Sequence, residues 1–127
     1  MITSGLVNVF TRDIDAALAF YQGVLGLPET FRTPTEGTPD HVEMSAGGFV
    51  VAISTVEAAR RVHGLDAEPG SPTMELVFWT DDVDAAYDAV VAAGVPAVTA
   101  PHDTGNGNRN AVVRDPDGTL VELVAKR

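Results

Sequence analysis

The chain has 127 residues, a length that suits one compact domain with a hydrophobic core. Its 45% hydrophobic and 20% charged residues are ordinary for a globular protein. No apolar run reaches the roughly 18 residues that a membrane span needs, so we expect no membrane association. Cysteine is absent, which excludes disulfides, thiolate metal sites and cysteine catalysis. The N-terminus lacks the basic and apolar segments of a signal peptide, so we expect a cytoplasmic location.

The formal net charge is −10 at pH 7. Nucleic-acid phosphates require a basic surface, so this charge argues against nucleic acid as a partner. It favours encounter with cationic small molecules. A simpler explanation is that acidity keeps the protein in solution.

An internal repeat organises the chain. Residues 6–18 (LVNVFTRDIDAAL) align with residues 75–87 (ELVFWTDDVDAAY) at a constant offset of 69 residues. In each copy an apolar strand runs into an aspartate and then into a helical pattern. Asp13 and Asp82 stand where an N-cap belongs. Each helical pattern stops at a glycine that is soon followed by a proline.

Three strand-like segments follow each of these helical patterns, so each copy is a β-α-β-β-β module. The predicted strands are residues 29–32, 41–46, 49–54, 97–100, 108–114 and 119–125. Module 1 covers about residues 1–54, a connector about 55–72, and module 2 about 73–127. In the connector, Ser54-Thr-Val-Glu57 has the spacing of a capping box and predicts a short helix over residues 58–63.

Two turns fix the strand pairing. Asp115-Pro-Asp-Gly118 lies between apolar runs and predicts a β-hairpin. A two-residue turn at Gly47-Gly48 would place Glu43 opposite Ala52, and His41 opposite Ser54, on one face of the sheet. The alternative is that His41 and Glu43 lie on a solvent-facing strand edge.

The paired modules, the Asp-Ile/Val-Asp helix starts, Phe20-Tyr21 with Val24-Leu-Gly-Leu27, and Asp115-Pro-Asp-Gly-Thr-Leu-Val-Glu-Leu123 resemble the vicinal oxygen chelate superfamily. That superfamily includes glyoxalase I, bleomycin-resistance proteins and extradiol dioxygenases. The resemblance implies an α+β fold in which two βαβββ modules form an open curved mixed sheet, or half-barrel. It further implies helices on the outer face, a ligand site inside, and a homodimer.

Metal-binding members of that superfamily take one ligand from the first and one from the last strand of each module. By resemblance these places are Leu6, Ala52, Glu75 and Glu122. Leucine and alanine have no lone pair to offer a divalent cation, so we expect no cofactor. A weakly held divalent metal, assisted by Glu43 or His41 near the vacant position, is the alternative.

Glu75 and Glu122 are the leading candidates for function, because each interrupts an apolar strand on the face that the resemblance turns inward. They would bind a cationic group, or one would act as a general base whose pKa is raised by its like-charged neighbour and by burial. The structural alternative is an ion pair with Arg109 or Arg32 that closes the end of the barrel.

Four further residues are candidate ligand contacts. Trp79 and its repeat partner Phe10 would stack on a flat or cationic ligand, or fill the core. Asn8, on the same face as Phe10, would hydrogen-bond a ligand or satisfy backbone groups. Arg109 would reach a ligand anion or neutralise Glu122. No Ser/His/Asp arrangement is apparent in the sequence, and we expect the loop histidines to be solvated.

Two functional hypotheses follow. The first is a metal-free small-molecule binding protein, similar to the bleomycin-resistance branch that confers antibiotic resistance by sequestering drugs. Its ligand would be cationic or aromatic, and its contacts would be Asn8, Phe10, Glu43, Glu75, Trp79, Arg109 and Glu122. The second is an enzyme similar to the lyase and isomerase branch, with Glu75 or Glu122 as base. The missing donors at positions 6 and 52 favour the first hypothesis.

Overall fold

The computed structural model describes residues 1, 4–70 and 74–127, and these divide into two compact units, Met1–Pro69 and Gly70–Arg127. The predicted repeat is confirmed, since each unit contains one β-α-β-β-β succession. The connector helix belongs to the first unit. None of the described helices is long and apolar enough to cross a membrane.

The first unit is a four-stranded sheet in the order β1-β4-β3-β2, with β1 parallel to β4 and the other pairs antiparallel. Its elements are β1 (Val7–Thr11), α1 (Ile14–Leu18), β2 (Glu29–Thr33), β3 (His41–Ala46), β4 (Phe49–Thr55) and α2 (Val56–His63).

The second unit repeats that arrangement in the order β5-β8-β7-β6, with β5 parallel to β8. Its elements are β5 (Glu75–Trp79), α3 (Val83–Ala92), β6 (Ala97–Asp103), β7 (Asn108–Arg114) and β8 (Leu120–Lys126). The α+β class is therefore confirmed, as two open, mixed four-stranded sheets that carry helices.

Both predicted N-caps are present. The Asp13 carboxylate accepts a hydrogen bond from the N–H of Ala16 at 3.0 Å, and Asp82 accepts one from Ala85 at 3.1 Å. Each cap satisfies a donor that the first helical turn would otherwise leave free, so the strand-to-helix junction is fixed at the same place in both units.

The first helix departs from the predicted α-helical period. After Leu18 the chain continues as a π-helix over Ala19–Val24, and the N–H of Leu25 reaches back five residues to the carbonyl of Phe20. Phe20 and Tyr21 are both buried, and their rings meet edge to face with centroids 4.8 Å apart. A pattern read at 3.6 residues per turn does not anticipate this wider turn.

The capping-box prediction is wrong by one residue. Thr55, not Ser54, caps α2 by accepting the N–H of Ala58 at 3.1 Å, and Gly64 ends the helix in the left-handed conformation. Ser54 does not cap the helix because its hydroxyl bonds to side chains on the sheet.

One face of each sheet packs against its helix. In the first unit Val42, Val51 and Ile53 are fully buried. In the second, Val83 of α3 packs with Ala111 of β7 and Ala125 of β8. Polar side chains on the other face therefore remain available to solvent or ligand.

Replacing Asp13 by alanine removes the N-cap acceptor of α1. We expect the free energy of unfolding to fall by about 1 kcal/mol, which urea titration measures. Asp13→Asn is the matched control, because it keeps a side-chain oxygen and should cost only a small fraction of that amount. Equal losses in the two variants would show that the carboxylate acts through its charge instead.

Candidate functional site

The Gly47-Gly48 turn sets the register of the first unit. Both glycines have positive φ, 57° and 93°, as the tight connection of β3 to β4 requires. His41 pairs with Ser54, and Glu43 pairs with Ala52, which confirms the predicted register. The strand-edge alternative is wrong, because β3 lies between β2 and β4.

This register assembles a chain of four polar side chains. His41 Nδ1 lies 2.7 Å from Ser54 Oγ, and His41 Nε2 lies 2.9 Å from Glu43 Oε2. The Ser54 hydroxyl also lies 2.9 Å from Asn8 Oδ1. The side chains of His41 and Glu43 are about one-quarter exposed, 25% and 26%, and Ser54 is buried. A hydroxyl, an imidazole and a carboxylate thus form a row that crosses from β4 to β3 and continues along β3.

Sequence reasoning predicted that His41 lies opposite Ser54 with Glu43 on the same face, but it did not connect the three side chains as a serine–histidine–carboxylate group. Its members are separated along the chain, so no local motif announces them. The predicted strand register already carried the signal, because pairing His41 with Ser54 places the two side chains together.

Proton counting gives the row two arrangements. The Ser54 hydroxyl has one proton to donate. If it donates that proton to Asn8 Oδ1, then His41 Nδ1 has to donate to Ser54 Oγ, while His41 Nε2 donates to Glu43. That arrangement is a charged imidazolium. In the neutral ring, the carboxylate of Glu43 holds the proton on Nε2, and Nδ1 accepts the proton of Ser54. The Ser54 proton thus has two acceptors, and the charge of His41 selects between them.

A cavity of about 370 Å³ opens over this row in the first unit. Asn8, His41 and Ser54 form its polar side. Its apolar wall includes Phe10 and Leu65, so the predicted aromatic contact of Phe10 with a cavity is consistent with its position.

Charged side chains also line this cavity. Arg61 of α2 pairs with Asp40 at 2.5 Å, and His63 lies on the same helix. Asp40 is the carboxylate among the described lining residues, and its charge is already matched by Arg61.

The second unit brings Glu75 and Glu122 together, as their shared strand face predicts. A hydrogen bond to Glu122, followed by burial and the like charge of Glu122, raises the pKa of Glu75 above its usual range. The amide nitrogen of Asn110 donates to the Glu122 carboxylate. The buried Oδ1 of Asn110 accepts no hydrogen bond from the described part of the chain.

The alternative, in which Glu75 and Glu122 form ion pairs with Arg109 or Arg32, is wrong. Arg109 lies on the helix-bearing face of β7, where it donates to Asp84 of α3 at 2.6 and 2.8 Å and to Asp103 at 3.1 Å. Arg32 donates to Glu29 at 2.8 Å in the first unit. The structure therefore does not place Arg109 beside Glu122 or on the proposed ligand-binding face.

Trp79 shares the strand face of Glu75 and is 60% exposed. The Lys126 ammonium lies 5.1 Å from the centroid of its ring. The exposed indole is therefore available for stacking, although a cation of the chain itself already contacts it.

The sequence profile of the glyoxalase/bleomycin resistance protein/dioxygenase superfamily matches residues 3–123. The chain belongs to this superfamily. The structure of a family enzyme from Burkholderia phytofirmans covers 96% of this chain and 97% of its own, with 28% identity and a TM-score of 0.80.

Two named proteins are also similar to this chain over most of its length. "Putative glyoxylase CFP32" of Mycobacterium bovis is 29% identical over 126 residues, which make up 95% of this chain and 44% of that protein. The chain thus spans less than half the length of this relative. "Probable lactoylglutathione lyase" of Vibrio cholerae is 25% identical over 118 residues, 91% of this chain and 84% of that protein.

The four positions that the resemblance assigns to metal ligands offer few donor atoms for a divalent metal. Leu6 and Ala52 have no donor atom, which leaves the two carboxylates of Glu75 and Glu122. Glu43, the expected substitute ligand, is hydrogen-bonded to His41. Within residues 1, 4–70 and 74–127, no three histidine or acidic side chains gather as a metal-binding group.

The raised pKa of Glu75 predicts a pH-dependent effect of Glu122→Gln. A raised carboxyl pKa contributes stability at low pH that is lost as the pH rises through it, so the pair is destabilising at neutral pH. We expect the variant to be more stable at neutral pH by about 0.5 kcal/mol, the size of an exposed like-charged pair. The difference should shrink as the pH falls through the raised pKa of Glu75, because protonation of Glu75 removes the like charge. Urea unfolding across this pH range measures it.

Glu29→Gln is the matched control, because hydrogen bonds from Arg32 and Gln22 lower the pKa of Glu29. The stabilising contribution of Glu29 is present at neutral pH and is lost as the pH falls. We therefore expect Glu29→Gln to be less stable than the parent at neutral pH, whereas Glu122→Gln is more stable. A Glu122→Gln protein that is less stable than the parent at neutral pH would contradict the conclusion that Glu122 raises the pKa of Glu75.

Proposed function

We propose that this protein binds a small molecule in the cavity of its first unit. The observation that carries the proposal is a space of about 370 Å³ with an apolar wall and a compact group of polar side chains. Ligand pockets typically have volumes of about 300–1,000 Å³ and use a few convergent polar groups to orient an otherwise apolar ligand.

The polar side of the cavity favours a ligand that carries a hydrogen-bond acceptor. Asn8 Oδ1 accepts from Ser54, and the two N–H groups of the same amide have no acceptor among the described residues. These donors suit a carbonyl or carboxylate oxygen. The lining carboxylate of Asp40 is paired with Arg61, so it offers little to a cationic ligand. The proposed ligand is therefore a small carbonyl or carboxylate compound with an apolar body.

The acidic pair of the second unit is the proposed place for a cationic group. An ammonium there would relieve the repulsion between Glu75 and Glu122. The exposed ring of Trp79 on the same strand face would add a stacking surface. The proposed binding of drug-like cations, and with it a role in antibiotic resistance, depends on this surface of the second unit. We also propose that the protein is a cytoplasmic homodimer, as the family resemblance implies.

A second candidate is a lyase- or isomerase-type enzyme with Glu75 as general base. The raised pKa of Glu75 supports it, because a catalytic base is most effective when its pKa approaches the working pH. The name of the lactoylglutathione lyase relative points in the same direction. The missing donors at Leu6 and Ala52 keep this candidate second, since it would have to work without the superfamily's full ligand set.

Three probes that share one aromatic body test the binding proposal: benzamide, benzoate and benzylammonium. In calorimetric titrations of the parent protein and Asn8→Ala, we expect benzamide to bind the parent. The affinity should fall about fivefold in the variant, the cost of one lost hydrogen bond. Asn106→Ala, in a loop of the second unit, is the control and should bind like the parent.

Two results would overturn the proposed cavity. One is saturable binding of benzamide and benzoate that Asn8→Ala leaves unchanged. The other is the absence of saturable binding for all three probes. If benzylammonium binds more weakly to Glu122→Gln and binds to Asn8→Ala as it does to the parent, the ligand site is the acidic pair and not the cavity.

A further inference from the structure

We infer that Ser54, His41 and Glu43 form an acyl-transfer site in which the Ser54 hydroxyl attacks small esters held in the cavity of the first unit. The inference rests on the proposed function, because the cavity has to admit the ester. It goes further by giving the polar row a reaction and the ligand a chemical class.

The distances match those of an activated nucleophile. Ser54 Oγ lies 2.7 Å from His41 Nδ1, and His41 Nε2 lies 2.9 Å from Glu43 Oε2. A nucleophile and its base are expected within about 2.6–3.2 Å of each other, with a third group that orients the base. In the neutral arrangement of the ring, Glu43 holds the Nε2 proton, and Nδ1 presents its lone pair to the hydroxyl. The same roles recur on unrelated folds, where they are recognised by geometry and not by order in the chain.

The cavity supplies access and an oxyanion partner. Ser54 and His41 both line it, whereas Glu43 lies behind the imidazole. The amide of Asn8 is in hydrogen-bond contact with Ser54 Oγ, and its N–H groups have no acceptor in the described chain. An asparagine amide in such a position can donate to the oxygen that becomes negative during acyl transfer.

The reaction balances with water as the second reactant. Ser54 Oγ bonds to the ester carbonyl carbon, and its proton passes to His41 Nδ1, giving an imidazolium that the Glu43 carboxylate stabilises. The carbon–alkoxide bond breaks, and the imidazolium returns the proton to the departing alcohol. Water then attacks the acyl carbon and gives a proton to His41 Nδ1, the bond between the acyl carbon and Ser54 Oγ breaks, and the imidazolium returns the proton to Oγ. The net change is ester plus water to carboxylic acid plus alcohol, and the acid is a member of the ligand class proposed for the cavity.

The charged groups around the polar row determine which esters the cavity can accept. Asp40, Arg61 and His63 line the same cavity from the β3 approach and from α2, and Glu43 contacts His41 from its own strand. The pairing of Asp40 with Arg61 leaves the neighbourhood near neutral, so short uncharged esters are the expected substrates.

The first test is hydrolysis of p-nitrophenyl butyrate by the full chain, with a fluorophosphonate as covalent probe. We expect one adduct, located at Ser54 by mass spectrometry, and none in Ser54→Ala. Hydrolysis should fall about 100-fold or more in His41→Gln, and by a smaller factor in Glu43→Gln with a changed pH profile. Ser45→Ala and His102→Gln are the matched controls and should react like the parent protein.

The second test remains informative if Ser54→Ala is poorly folded. The chain has no cysteine, so Ser54→Cys introduces a single thiol whose alkylation by iodoacetamide is unambiguous. With His41 present we expect alkylation at least tenfold faster than in the double variant Ser54→Cys/His41→Gln, because the base raises the thiolate fraction.

Several outcomes would overturn the inference: a fluorophosphonate adduct elsewhere, hydrolysis that Ser54→Ala leaves unchanged, or equal alkylation rates with and without His41. Benzamide binding that Asn8→Ala weakens, in a protein with no adduct at Ser54, would remove the acyl-transfer site and leave the proposed function standing. A protein that neither binds benzamide nor forms an adduct at Ser54 would overturn both the proposed cavity and the acyl-transfer site.

Discussion

The pairing of β3 with β4 is the constraint on which the site depends. Gly47 and Gly48 form the two-residue turn with positive φ, and that turn permits one register, in which His41 faces Ser54 and Glu43 faces Ala52. A shift of one residue would turn His41 to the helix side of the sheet and expose the buried Val42. The hydrophobic pattern of the strand thus protects the alignment of the polar row, because losing that alignment would also cost core burial.

The two units show how one framework carries two chemistries. His41 and Ser54 occupy opposed positions on β3 and β4, and the corresponding pair on β7 and β8 is Asn110 and Val124. Ala52 stands where the second unit has Glu122. The first unit therefore holds hydrogen-bonded serine, histidine and glutamate side chains beside a cavity, and the second holds two neighbouring carboxylates, one of which, Glu75, has a raised pKa. A repeated fold positions side chains, but the residues at those positions decide what each unit does.

Much of the framework could be predicted from the sequence, because its signals are local. Aspartate caps such as Asp13, period-two strands and the glycine turn each act within a few residues, and the repeat supports each assignment twice. The structure differs from the prediction where two roles compete for one side chain, where the helical period changes, or where the partner is distant in the chain. Ser54 gives up its capping role for the polar row, the π-helix after Leu18 departs from the assumed period, and Arg109 pairs with Asp84, far away in the chain, and not with Glu122.

The proton position on His41 tests the account most directly, since the row works as described only if Glu43 fixes the tautomer. Long-range ¹H–¹⁵N NMR of the neutral ring distinguishes the two nitrogens. The account predicts a protonated Nε2 and a Nδ1 whose lone pair is free to accept from Ser54, and Glu43→Gln should weaken that preference. A neutral ring protonated on Nδ1, or a tautomer mixture that Glu43→Gln leaves unchanged, would contradict it.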